Sequence, residues 1–125
     1  MYFGLSEEQS FFKDSVKKYL EDNASLDQIR KIASNEETSV GKEIHQGFLN
    51  LGVNGLLIPE EFGGLGLDLL FAAVVSESLG ACNGPVPYIA PYVMAPRAIM
   101  AGGSPAQKEN YLTKIASNEI LVGVG

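Results

Sequence analysis

Few residues in this chain are of types that carry chemistry on their own. It has one cysteine, Cys82, and one histidine, His45. A thiol becomes a nucleophile when a base removes its proton, and the sole imidazole lies far away in sequence. Cys82 therefore reads as a small apolar or loop residue. His45 falls in the middle of an amphipathic stretch, so it makes no credible Ser-His-Asp set and reads as a partly buried helix residue. One histidine, one cysteine and scattered carboxylates do not make a zinc or iron site. The run Pro59-Glu60-Glu61-Phe62-Gly63-Gly64-Leu65-Gly66-Leu67 is the nearest thing to a phosphate loop. It lacks the G-x-G-x-x-G or P-loop spacing and has no lysine, and Glu60 and Glu61 would repel an anion. Its glycines read as conformational: Gly63, Gly64 and Gly66 supply positive φ and close backbone approach ahead of a buried helix.

The elements around these residues are helical. Ser6 with Gln9, Ser25 with Gln28 and Ser104 with Gln107 each have capping-box spacing, and Pro105 stands at the first helical position after Ser104. Phe11, Phe12, Val16, Tyr19 and Leu20 share one face of a first helix, which ends near Asn23. Leu26, Ile29 and Ala33 give the stripe of a second. Residues 34–39 are polar and read as a surface loop. A third helix covers about Val40 to Leu51, with Ile44, Phe48 and Leu51 inward and Gly52 after it. Leu56, Leu57 and Ile58 form an apolar run too short to assign. The fourth helix starts near Asp68 and ends near Gly80; it is apolar all round, which predicts burial on most sides. The fifth lies between Pro85 and Ala101. There Pro91 and Pro96 leave the carbonyls of Pro87 and Tyr92 without helical donors, and Pro96 should bend it. Tyr88, Tyr92, Ala95 and Ile99 lie on it at near-helical spacing, an apolar face with phenolic tips. The sixth helix runs to about Ile115, and the tail from Ile120 is β-prone.

The chain has 125 residues, 46% hydrophobic and 19% charged, which is globular composition for about one domain. A net charge of −6 argues against a nucleic-acid surface. The most apolar stretch, Leu65 to Leu79, is broken by Asp68, Ser76 and Glu77, so no membrane insertion is expected. No signal peptide is visible, and the lone cysteine makes a reducing, cytoplasmic compartment the default.

The segment LGVNGLLIPEEFGGLGLD at 51–68 is similar to the glycine-rich signature of the acyl-CoA dehydrogenase family. LSEEQ at 5–9 resembles the family's opening, VVSESLGA at 74–81 its Val-x-Glu-Glu-Leu-Gly helix end, and residues 102–125 its Gly-Ser/Thr-x-x-Gln-Lys-x-x-Tyr-Leu stretch and the first strand of its β domain. The matches come in family order. The departures are Asn118 for a usual glycine, Thr113 for a usual proline, and His45 where many relatives carry tryptophan. ACNGPVPYIAP resembles relatives acting on bulky or dicarboxylic acyl-CoAs.

The resemblance implies an all-α bundle of about six helices over residues 1–118, with 119–125 opening a β domain. It implies a parent enzyme that dehydrogenates acyl-CoA thioesters at the α,β positions with FAD and passes electrons to an acceptor. It also implies that the flavin contacts and the catalytic base lie beyond Gly125, so the isolated chain should hold no flavin and no catalytic residue. The face of Tyr88, Tyr92, Ala95 and Ile99 is then one wall of the acyl pocket; read from the residues alone, the same face is simply core. A domain made to dock on others keeps apolar surface and enters homo- or hetero-oligomers. The rival readings are an acyl-CoA oxidase or flavin monooxygenase of the same fold, and a standalone helical interaction module. Far-ultraviolet circular dichroism of the chain should show a helical spectrum; a β-dominated one contradicts the periodicity argument.

Overall fold

The computed structural model describes residues 4–36 and 38–125, and of Thr38 the backbone alone. Among the described residues there are six α-helices and no strand: α1 Glu7–Asn23, α2 Leu26–Ala33, α3 Thr38–Leu49, α4 Leu69–Ala81, α5 Ala95–Gly102 and α6 Pro105–Ala116. A 3-10 turn, Glu60–Phe62, precedes α4, and a π-helical turn, Ile89–Met94, leads into α5.

The starts follow the sequence logic. In α1 the Gln9 amide donates to the Ser6 hydroxyl at 3.1 Å and the Gln9 side chain accepts from the Ser6 amide at 2.9 Å. Ser25 with Gln28 and Ser104 with Gln107 close the same reciprocal box. At α4 the Asp68 carboxylate accepts from the amides of Leu70 and Phe71 at 3.0 and 3.3 Å. Each such cap satisfies amides that a helix start leaves open, worth about 1 kcal/mol. The third helix begins two residues earlier than its apolar pattern shows, and of the polar segment before it Glu37 lies outside the described residues.

Two close approaches set the packing. Tyr19 of α1 lies against Gly47 of α3 so tightly that a Cβ there would fall on the phenol, and its hydroxyl donates to the Ile44 carbonyl at 2.8 Å. After α3 the chain turns at Gly52 and doubles back, so that segment 55–58 lies beside 64–67. The amides of Leu65, Gly66 and Leu67 donate to the carbonyls of Gly55, Ile58 and Leu56, each at 2.8 Å. Leu56 and Ile58, unassigned from sequence, are fully buried here. Gly63 and Gly66 do take positive φ, 82° and 60°, while Gly64 is needed for space: a Cβ would strike the Ile58 carbonyl.

α1 and α4 pack together, with Phe12 and Phe71 edge-to-face at 6.0 Å and Lys13 paired to Glu77 at 2.9 Å. The pair is largely exposed and contributes about 0–1 kcal/mol; buried Val16, Leu20, Ala72 and Val75 contribute more, roughly 1.5–3 kcal/mol for each large side chain. α4 departs from the expectation of burial on most sides. Phe71, Ala72, Val74, Val75 and Ser78 are buried, but Leu69 and Leu70 are 50% and 45% exposed. Within this six-helix unit, neighbours cover one side of α4 and leave the start of its other side open. α6 is anchored by Asn54, whose buried amide donates to the carbonyls of Ile115 and Ala116 at 3.0 and 2.8 Å.

Urea denaturation should rank three variants. Asn54→Ala removes the side-chain donor to both carbonyls, of which that of Ile115 keeps the Asn118 amide, and should cost about 1–2 kcal/mol. Gly64→Ala should cost roughly 1–3 kcal/mol or more through backbone displacement. Gly80→Ala, where a Cβ meets nothing within 4 Å, should be neutral or stabilise by up to about 1 kcal/mol.

Candidate functional site

The segment between α4 and α5 is the least regular helical stretch of the chain. α4 ends at Ala81, Asn83 takes φ 51°, and Gly84 turns back on Leu79, its amide donating to the Leu79 carbonyl at 2.8 Å. The π turn starts after Tyr88. Proline at 91 and 96 removes two donors, and the Ala95 amide reaches back five residues to the Ala90 carbonyl. This wider pitch inserts an extra residue into the helical path. Pro96 then falls in the first turn of α5, where its missing amide leaves no internal bond unmade. The break in regularity therefore lies at the change from π to α pitch at Met94 and Ala95.

The four residues of the tyrosine face differ in their surroundings. Tyr88, Tyr92 and Ala95 are buried, and Ile99 is partly buried against the core. Tyr88 stands edge-on to Phe48 at 6.1 Å and tilted to Tyr92 at 6.3 Å. Tyr92 lies further in, its hydroxyl 3.0 Å from His45 Nε2. Tyr88 also lines an open groove of about 460 Å³ with Ser76, Leu79, Gly80, Asn83, Gly84, Val86 and Ile89. Ile99 belongs to a different hollow, with Tyr111, Ile120, Leu121, Val122 and Gly123. The β-prone tail, residues 120–125, forms no regular element.

The groove is not visible from the sequence as a site. Its Asn83-Gly84 turn is, but the approach of Ser76 and Gly80 to Val86 and Ile89 depends on how the chain reverses after α4. Its lining carries no carboxylate, imidazole or ammonium, and Tyr88 is its one titratable residue. Ser76 donates its hydroxyl to the Ala72 carbonyl at 2.9 Å. The Tyr88 hydroxyl, sealed from water, has no partner. Burial pushes the phenols of Tyr88 and Tyr92 above their ordinary pKa and pushes the His45 imidazole below its own.

The other chemical candidates resolve as follows. Cys82 is partly buried against the core, while His45 pairs with Tyr92. Among the described residues no group of His, Cys, Asp and Glu could hold a metal ion, and no helix is long and apolar enough to cross a membrane. The glycine turn is filled by its own backbone. The amides of Phe62, Gly63 and Gly64 donate to the carbonyls of Pro59, Glu60 and Pro59, and those of Leu65 to Leu67 are paired across the doubled-back chain. A phosphate would find no free amide along residues 62–67.

Residues 6–119 match the family model of the acyl-CoA dehydrogenase N-terminal domain. The chain is 32% identical over 120 residues to the mitochondrial isovaleryl-CoA dehydrogenase of Bos taurus, covering 94% of this chain and 28% of the relative. It is 34% identical over 124 residues to the (2S)-methylsuccinyl-CoA dehydrogenase of Cereibacter sphaeroides, covering 94% and 21%. A solved chain of a steroid ACAD superposes with a TM-score of 0.79 at 25% identity, over 94% of this chain and 32% of that one. The chain thus spans about a quarter of the length of the curated relatives it matches.

His45 is the one histidine, so its ring protons titrate alone in a proton NMR spectrum. The midpoint should fall below the ordinary value of 6.5. The unfolded chain then takes up the proton more readily than the folded one. Stability should therefore be full above about pH 6.5, fall as pH drops from there to the folded midpoint, and level off below it as far as this group is concerned. A His45→Gln variant should lack that step.

Proposed function

The chain belongs to the acyl-CoA dehydrogenase family, as its N-terminal helical domain, and from that premise we propose that it works within an FAD-dependent enzyme that dehydrogenates acyl-CoA thioesters at the α,β positions. The observation that carries this reading is the match over residues 6–119. Relatives of this chain are named for isovaleryl-CoA and (2S)-methylsuccinyl-CoA, both short branched acyl groups, and these are the first substrates to test.

Within that enzyme the domain forms one side of the acyl pocket. The supporting feature is the groove at the end of α4, whose volume of about 460 Å³ is in the range of small-ligand sites. Tyr88 and Ile89 belong to its wall, Tyr92 packs against the Tyr88 ring, buried Ala95 lies in the same stretch, and Ile99 lies outside this groove. The Pro59–Leu67 turn does not fit FAD, because its amides from Phe62 on are already bonded within the chain and its charged side chains, Glu60 and Glu61, are acidic. We assign none of these residues to the cofactor. The flavin, the catalytic base and the electron-acceptor site belong in this reading to the rest of the enzyme, and the isolated chain is colourless and inactive. Exposed Phe11, Leu69, Leu70 and Leu121 are surface for other domains or subunits to cover. The cytoplasm is the proposed location, argued from the single cysteine.

The groove can be narrowed without touching the core. Ile89 is largely exposed at its rim and Gly80 faces open space. In the flavin-loaded parent enzyme, Ile89→Trp and Gly80→Leu should lower kcat/KM on long or bulky acyl-CoAs by about tenfold, the effect of roughly 1.4 kcal/mol, and spare short ones. An equal loss across acyl lengths would remove the groove from the pocket. No enoyl-CoA product from any acyl-CoA would remove the dehydrogenase reading itself.

A further inference from the structure

Side chains from a distant element hold the wall of the groove. Tyr88 belongs to that wall, and Ile89, the first residue of the π turn, stands at its rim. Two residues of α3 reach this stretch. Phe48 stands edge-on to Tyr88 at 6.1 Å, and His45 Nε2 lies 3.0 Å from the Tyr92 hydroxyl. The two are three residues apart and so share one side of α3. Their constraints differ in kind. An edge-on ring contact holds over a broad range of centroid distances, whereas a hydrogen bond fixes distance and angle. Among the described residues the His45–Tyr92 bond is the one side-chain hydrogen bond from Ile89–Met94 to another element. The Tyr92 ring in turn lies against the Tyr88 ring at 6.3 Å.

We propose that His45 is a positioning residue of the acyl pocket: its Nε2 accepts the hydrogen of the Tyr92 hydroxyl, and this bond holds the π turn, and with it Tyr88 and Ile89, where the distal part of a long or bulky acyl group meets the wall. The inference rests on the reading of the groove as acyl pocket. The direction of the bond follows from burial. Tyr92 is 1% exposed, so if the imidazole donated instead, the phenolic hydrogen would stay in the interior without an acceptor, which is costly. His45 Nδ1 is under no such constraint. Its ring is half-buried, and among the described residues only the Tyr88 hydroxyl is a sealed side-chain polar atom without a partner. Water can therefore accept the Nδ1 hydrogen. Burial also pushes the imidazole below its ordinary pKa, which leaves Nε2 an acceptor at neutral pH. A wall fixed before the substrate arrives spares the acyl group the cost of ordering it. A short acyl group that does not reach the wall gains nothing from that order.

The experiment uses the flavin-loaded parent enzyme and a series of acyl-CoA thioesters of rising length. Tyr92→Phe keeps the ring and removes the hydroxyl, His45→Phe removes the acceptor, and His45→Gln puts a carboxamide near the place of Nε2. Each of the first two should raise KM for long or bulky acyl-CoAs about fivefold, as the loss of one hydrogen bond implies, with little change in kcat and none in KM for short ones. The double variant should be no worse than either single, because both remove the same bond. His45→Gln should restore the parent pattern. Nitrogen-15 NMR, with the His45 signal identified by its loss in the variants, should show the hydrogen on Nδ1, and Tyr92→Phe should remove that preference. If His45→Phe does not fold, Tyr92→Phe, His45→Gln and the tautomer still decide the matter. An equal rise in KM at every acyl length overturns the inference, as does a fall in kcat with KM kept. So do additive effects of the two single changes, a His45→Gln enzyme that behaves as His45→Phe does, or a hydrogen on Nε2. Length-dependent binding that no variant moves sinks this inference alone, whereas binding of no acyl-CoA at all sinks the acyl-pocket reading.

Discussion

The pairing of segment 55–58 with 64–67 is the constraint from which the rest of the molecule is built. Three amides cross from Leu65, Gly66 and Leu67 to carbonyls on the earlier stretch of chain, and they can do so only because Gly64 has no Cβ to strike Ile58. The turn buries Leu56 and Ile58 and delivers Asp68 at the start of α4, where its carboxylate caps the helix. The direction of α4 is thereby set against α1, through Phe12 and Phe71, and with it the place where α4 ends. Backbone groups buried in such a turn must be paired. A glycine-rich run that resembles a phosphate loop thus has its amides taken up internally.

The groove follows from that placement and from the prolines beyond it. α4 stops at Ala81 and the chain reverses through Asn83 and Gly84. Pro91 lies within the next turn, which keeps π pitch until Met94 before α5 begins. Tyr88, at the head of that turn, packs on Phe48 while the Tyr92 hydroxyl reaches His45. Two tyrosines four residues apart on a regular helix would share one face. Here the two rings do meet, at 6.3 Å, but only Tyr92 has a partner for its hydroxyl.

Exposed apolar side chains gather away from the groove as well. Phe11, at 76% exposure, lies beside Leu67 and Phe71 in a hollow rimmed by Glu7 and Glu8, and Ile99, Tyr111 and Leu121 line another near the end of the chain. A net charge of −6 favours solubility, yet each hollow is apolar surface that burial would stabilise.

Helix starts were legible in the sequence because capping is local: Ser6, Ser25 and Ser104 each act on a glutamine three residues away. The family was legible because its motifs occur in order along nearly the whole chain. Gly63, Gly64 and Gly66 were legible as conformational residues because they lack both the spacing and the cation of a phosphate site. Tertiary structure alone decided which apolar residues are covered. α4 has no polar face to betray its orientation, so Leu69 and Leu70 could be placed outside only by the neighbours that fail to reach them. Asn54 looked like any loop asparagine until the fold brought α6 to it. The spacing of the tyrosines was legible, but their partners, Phe48 and His45, lie far away in sequence. Local hydrogen bonding is written in short-range spacing; burial is a relation between distant segments, and it exists only once the chain has closed on itself.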